Sequence, residues 1–336
     1  MSSGLELKKI VIPEIKPKSD AQKVSTLGGF LAGGVAACGA VTFTNPIELI
    51  KTRMQLQGEL MKKGSDTVRL YKNPFQAFMV IYKNEGIRGL QQGLACGYYY
   101  QLALNGCRIG LYEPSRVFFT KYLTPNNYHE DSGIKNQNIG INVAAGFISG
   151  SAGAALASPF FLVKTRMQSF TKAPIDAVGQ QTYYRNAWDG IRTIYNLEGI
   201  KGLYRGVDAA ILRTGAGSSA QLPVYFYTKN WLIKNNIVND HSFSLHFLSS
   251  CAAGLGVAIV MNPWDVILTR VYNQSGNLYS GPIDCFTKTI KSEGITALYK
   301  GFWAQLFRIG PHSILTLMFM EQCMKAMIKL ENIINY

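Results

Sequence analysis

Three stretches of the chain, Val24–Phe43, Ile139–Phe161 and Leu245–Met261, are apolar or small almost throughout and carry almost no ionisable side chains. Each runs into a proline (Pro46, Pro159 or Pro263) and then into a polar connection. This pattern favours a bilayer over water and predicts long helices over roughly Val24–Met54, Gly140–Met167 and Leu245–Val271. A short amphipathic segment follows, such as PFQAFMVIYKNEG or AWDGIRTIYNLEG. A second long helix then opens after Gly93, Gly206 or Gly301 and ends near Lys121, Trp231 and Lys329. Two long helices per unit give six, and at about 1.5 Å per residue each exceeds a ~30 Å hydrocarbon core.

The units are copies of one another. The three prolines stand 113 and 104 residues apart, in NPIELIKTR, SPFFLVKTR and NPWDVILTR. Beyond them lie EGIRGLQQG (85–93), EGIKGLYRG (198–206) and EGITALYKG (293–301), each glutamate preceded at fourteen residues by Tyr71, Tyr184 or Tyr279. Three landmarks recurring in fixed order define repeats over 23–123, 138–235 and 241–330 behind an N-terminal tail, 1–22. The expected fold is an all-α membrane protein: six transmembrane helices in three pseudo-symmetric repeats around a central cavity, with three short amphipathic helices on one side.

Composition narrows the function. Charged residues are 16% of 336, yet Lys and Arg exceed Asp and Glu by a net +14. The charge-free helices separate the chain from a soluble nucleic-acid binder. Mean hydropathy is only +0.05, so the spanning helices must line something polar. Six scattered cysteines and four histidines make no metal-ligand spacing, and no P-loop, dinucleotide fingerprint or nucleophile elbow occurs, so neither an enzyme, a metal nor a cofactor is expected. The tail has Lys but no Arg, and it carries Glu6, Glu14 and Asp20, a poor match to a cleavable presequence.

Small residues at Gly33/Ala37, Gly146/Gly150 and Ser250/Gly254 keep one phase ahead of each proline and predict close helix packing. The three prolines predict matching kinks whose freed carbonyls neighbours must satisfy. Lys and Arg crowd the loops within repeats, whereas the connections between repeats hold only Arg116, Lys121, Lys135, Lys229 and Lys234. The intra-repeat loops therefore face the positive-inside compartment, and both termini the opposite one.

Together, Px[DE]xx[KR]x[KR] at Pro46–Arg53 with its two degraded copies and the tripled EGxxGLY[RK]G element resemble the mitochondrial carrier family over residues 23 to 330. NPIELIK, DAAILRTGAGSS (208–219) and NPWDVILTR with YKGFWAQLFRIGPH are similar to the oxaloacetate-carrying branch found in fungi. The resemblance implies a multi-pass inner-membrane monomer, both termini toward the intermembrane space, that moves a small dianion by alternating access and binds cardiolipin at [YW][KR]G and [YF]xG elements. Oxaloacetate leads, with sulfate, thiosulfate, malonate and isopropylmalate behind it. 2-Oxoglutarate/malate exchange and an uncoupling-type proton or fatty-acid pathway are the alternatives, and antiport and proton symport both stay open.

The resemblance also implies two gates. At the matrix end the acid of one odd helix faces the base of the next: Glu48 with Lys164, Asp265 with Lys51, and Phe161 with Leu268, where acid and base are lost together. Replacing both partners of a buried pair by apolar groups is nearly neutral, whereas removing one strands a charge. Gln55 and Gln168 match the family's braces, and Tyr272 replaces the third. At the cytoplasmic end YEPSR, YFYTK and MEQCM align, so Glu113 meets Lys229, Glu321 meets Arg116 and Phe226 meets Met324, with Tyr112 beside them and Lys325 able to take the basic role. For the substrate, Arg213 and Arg308 share a register seven residues after their glycines, and Arg108 lies higher on a similar face. A guanidinium inside a spanning helix points into the bundle or a wet cavity, and its fork matches a carboxylate. Thr214, Gln101, Asn105 and Ser218 join these as weaker cavity candidates, and His312 as a candidate proton carrier.

Overall fold

The computed structural model describes residues 26–60, 70–123, 128–129, 133–134, 139–171, 177–235, 243–274, 276 and 278–334. The expected tail lies outside them. Each repeat folds as a long helix, a short one and a second long one. Repeat 1 holds α1 (Thr26–Leu56), α2 (Pro74–Leu90) and α3 (Leu94–Leu123). Repeat 2 holds α4 (Ile139–Ser169), α5 (Ala187–Leu203) and α6 (Val207–Lys234), and repeat 3 α7 (Phe243–Asn273), α8 (Pro282–Glu293) and α9 (Phe302–Ile334). Apart from a two-residue pairing of Tyr128–His129 with Gly133–Ile134, the described residues carry no strand.

The long helices form a closed ring in which α1 packs on α3, α3 on α4, α4 on α6, α6 on α7, α7 on α9 and α9 back on α1. Three of them are long and apolar enough to cross a membrane: Gly28–Leu56, Ala144–Ser169 and Phe247–Asn273, all in the odd helices. The even helices are as long but carry Arg108, Arg213 and Arg308 among other polar groups, which lowers their hydropathy.

Local chemistry sets the ends of these elements. Asn73 and Asn186 cap α2 and α5, each side-chain oxygen accepting from the amide three residues on, at 2.8 and 2.9 Å. Both helices kink at the EG glycine, Gly86 at φ 67°, ψ −167° and Gly199 at φ 67°, ψ −165°. Only glycine enters that region cheaply. Past the kink, Gly89 and Gly202 sit so close to Glu85 and Glu198 that an added Cβ would lie 2.2 Å from the glutamate Cβ. Repeat 3 has Ala297 there, and its chain takes a 3-10 path over Ile295–Tyr299 instead.

Packing at the small residues is uneven. Gly150 meets the Thr214 methyl and Gly146 approaches Tyr112, but a side chain at Gly254 would touch nothing within 4 Å. In repeat 3 the close approach falls two residues later, at Gly256 against Val224. The carbonyl freed by Pro46 is satisfied as expected: the Thr42 carbonyl, which proline leaves without a donor, accepts from Gln91 Nε2 at 3.0 Å. This use of Gln91 gives a physical reason why repeat 1 reads QQG where the others read YRG and YKG.

Candidate functional site

Just beyond the three prolines the odd helices converge, and their side chains meet in cyclic order. Lys164 Nζ lies 2.6 Å from Glu48 Oε2, and Lys51 Nζ lies 2.9 Å from Asp265 Oδ2. Both lysines are buried. At the third position Phe161 packs on the buried cluster that contains Leu268, its ring between Tyr100 at 4.8 Å and Tyr272 at 5.5 Å. An aromatic plug therefore closes the sector that has no charge.

A second layer repeats the same order, joining the expected brace positions to residues before the prolines that sequence reasoning overlooked. The residue before each proline reads Asn45, Ser158, Asn262, and the brace positions one repeat on read Gln168, Tyr272, Gln55. Gln168 Nε2 donates to Asn45 Oδ1 at 3.2 Å, and the Ser158 and Tyr272 hydroxyls lie 2.8 Å apart. The smaller partner sits opposite the larger brace, the same joint exchange as at Phe161 and Leu268. Gln55 Nε2 and Asn262 Oδ1, the corresponding third pair, have no hydrogen-bond partner among the described residues. Gln55 Oε1 accepts from Thr269, as Gln168 Oε1 does from Thr52.

A third layer was also missed. Arg53, Arg166 and Arg270 reach the glutamates of the EG motifs, Glu85, Glu198 and Glu293. Arg53 grips Glu85 with two nitrogens and also donates to the carbonyls of Gln168 and Phe170 in repeat 2. Arg166 binds the equivalent carbonyls of Tyr272 and Gln274 in repeat 3. At the last junction Lys300, not Arg270, reaches the Gln57 carbonyl, at 2.6 Å. The signal was present in the sequence: Arg and Glu recur at matching positions in all three units.

Above the ring lie the arginines of the even helices. Arg213 Nε donates to Asp265 Oδ1, so this guanidinium points into the bundle and one of its donors is engaged by a ring carboxylate. Arg308 is half-buried, with Gln305 Oε1 at 3.4 Å from its Nε. Gln101 is buried and accepts from Asn105 at 3.0 Å, and the Thr214 hydroxyl is spent on the Ala210 carbonyl. His312 Nδ1 is 3.2 Å from the Thr44 hydroxyl. The side chains of Arg108 and Ser218 lie outside the described ones.

The profile of the family described as "Mitochondrial carrier protein" matches this chain three times, at 22–123, 135–236 and 239–331. The chain belongs to the mitochondrial carrier family. Among its relatives, the "Mitochondrial oxaloacetate transport protein" of Saccharomyces cerevisiae is 56% identical over 94% of each chain. The "Mitochondrial citrate transporter E" of Aspergillus niger is 51% identical over 92% of this chain and 96% of its own. The Schizosaccharomyces pombe "Mitochondrial oxaloacetate transport protein" is 48% identical over 93% and 95%.

At the other mouth of this carrier a different pairing is described. Glu321 is 66% exposed and pairs with Lys325 of its own helix at 2.7 Å, where the sequence suggested Arg116. Met324 and Lys229 are half-buried, and Tyr112 touches α4 near Gly146. The side chains of Glu113 and Phe226 lie outside the described ones. An i,i+4 pair with both groups in solvent contributes little and is easily exchanged.

Proposed function

We propose that this protein is an inner-membrane transporter of small dianions, oxaloacetate first among them, that works by alternating access. The observation that carries the reading is the apposition of two even-helix arginines, Arg213 and Arg308, to a closed ring of two ion pairs and one aromatic plug. Two forks suit the two carboxylates of a short dicarboxylate. The two relatives named for oxaloacetate support that cargo, and the one named for citrate supports a second reading as a di- or tricarboxylate exchanger.

In this reading all six long helices span the bilayer, the even ones as the polar lining, and α2, α5 and α8 lie on the matrix side with both termini opposite. The conformation is the one closed toward the matrix. Glu48–Lys164, Asp265–Lys51 and Phe161–Leu268 are the matrix gate, braced by Gln55 and Gln168. Glu113–Lys229, Glu321–Arg116 and Phe226–Met324, with Tyr112, form the cytoplasmic gate once the first opens. Arg108, Gln101 and Thr214 complete the path, the last by helix packing. Substrate binding shifts the balance between the two closed states only through contacts stronger in one than in the other. Cardiolipin is held at Tyr204–Gly206, Tyr279–Gly281 and Tyr299–Gly301, and the working unit is a monomer.

The test is uptake of labelled malonate and oxaloacetate by proteoliposomes containing Arg213→Gln. Loss of most uptake is expected, and undiminished uptake removes the site.

A further inference from the structure

Asp265 is held by two cations that come from different elements. Lys51 Nζ, from α1, meets one oxygen, and Arg213 Nε, from α6, meets the other. Its carboxylate is 3% exposed, so water does not compete for it. Glu48, its counterpart in the ring, is gripped by Lys164 alone among the described ion pairs. Arg308 makes no ion pair among the described residues and acts on Glu48 only from beyond salt-bridge range. The empty site therefore has one guanidinium free and one already holding a carboxylate.

A substrate carboxylate that comes to Arg213 meets a fork whose Nε already donates to a group of the same chemistry. Resting on the reading of Arg213 and Arg308 as the substrate site, we propose that Asp265 is an internal stand-in for the substrate's second carboxylate and thereby sets the carrier's preference for dianions. A monoanion is satisfied at Arg308 and leaves Asp265 where it is. A dianion spans Arg308 and Arg213, displaces Asp265 and leaves Lys51 as its single partner. The matrix ring is weakened only in the second case. Asp265 touches no substrate in this scheme; it acts through Arg213 and is a positioning residue.

The test is titration calorimetry on the purified full-length carrier with malonate and with pyruvate. Asp265→Asn should bind malonate at least about tenfold more tightly, about 1.4 kcal/mol, because the competitor is gone. Pyruvate affinity should change by less than about threefold. A pyruvate gain of about threefold or more, the square root of malonate's roughly tenfold, is what a change in local charge alone gives a monoanion, and would overturn the proposal. The double variant Asp265→Asn with Lys51→Gln leaves the net charge as it was and leaves Arg213 as the one cation parted from its carboxylate, so it carries the test should the single variant fold poorly. It must keep the malonate gain; wild-type affinity there overturns the proposal. In Arg213→Gln malonate should bind weakly. Wild-type binding in that variant would refute the site itself, a failure distinct from a missing gain in the Asp265 variants.

Discussion

At Phe161 the chain has lost an acid, and the structure fills the place with a ring held between Tyr100 and Tyr272 over the Leu268 cluster. Burying a lone charge there is costly, whereas exchanging both members of a pair is not. Phe161→Glu should therefore lower stability by about 3 kcal/mol, read as a fall in melting temperature, and Phe161→Glu with Leu268→Lys should recover much of it. No recovery would mean that the two positions do not face one another. This pairing could be read because the family resemblance implies the cyclic order and the proline fixes the phase to which it applies. Ser158 with Tyr272 obeys the same rule and was readable by the same count, one position before the proline. What could not be read was Arg213 with Asp265. That contact joins an even helix to an odd one, between which no repeat offset sets the register, so only coordinates could supply it.

At the level of elements, each short helix is tied to its long one by an arginine and the EG glutamate, and the three ties differ in burial. Arg53 and Arg270 are fully enclosed, with Glu85 at 9% and Glu293 at 5% exposure. Glu198 is 22% exposed, 3.4 Å from Arg166, and shares itself with Arg205. Breaking an enclosed pair from one side leaves an unmatched charge and costs about 3–5 kcal/mol, while a partly wet one costs about 1 kcal/mol or less. Glu85→Gln and Glu293→Gln should lower the melting temperature of the detergent-solubilised protein far more than Glu198→Gln. Equal losses would show that burial does not rank these ties. The helices themselves were legible from apolar runs and from the glycines that open the second of each pair, but the 3-10 path at Ile295–Tyr299 was not. It turns on a single methyl, Ala297 in place of Gly89 and Gly202, whose effect depends on how closely the glutamate packs.

Taken whole, the ring is not evenly threefold: the junction from repeat 3 to repeat 1 is built from other contacts. Lys300 replaces an arginine at the Gln57 carbonyl, the Gln55–Asn262 bond is missing, and Tyr279 donates to Glu59 at 2.8 Å instead. Burial holds the Glu59 carboxyl above the usual range, and nearby Glu293 adds to this. A carboxyl raised on folding is protonated more readily in the folded state, so its ionised form weakens the fold at pH above the folded pKa. That penalty vanishes as pH falls through it. Glu293 is held low by Arg270 and stays charged over the same interval. As pH falls from neutral toward the ordinary glutamate value of 4.5, the melting temperature of the wild type should thus gain relative to that of Glu59→Gln; an identical response in the two excludes Glu59 as a source of pH dependence. The outer mouth supplies the complementary test. In the present state Glu321 is exposed and satisfied by Lys325, a bond weak enough to be surrendered when the helices close on that side. If Arg116 is its partner in the other state, then Arg116→Glu and Glu321→Arg should each slow dianion exchange in proteoliposomes without altering the Glu48–Lys164 and Asp265–Lys51 pairs. The double exchange should then exceed either single variant by about fivefold, the equivalent of roughly 1 kcal/mol of recovered pairing. A double variant no faster than the singles would assign Glu321 to Lys325 in both states and leave the outer closure to the remaining pairs.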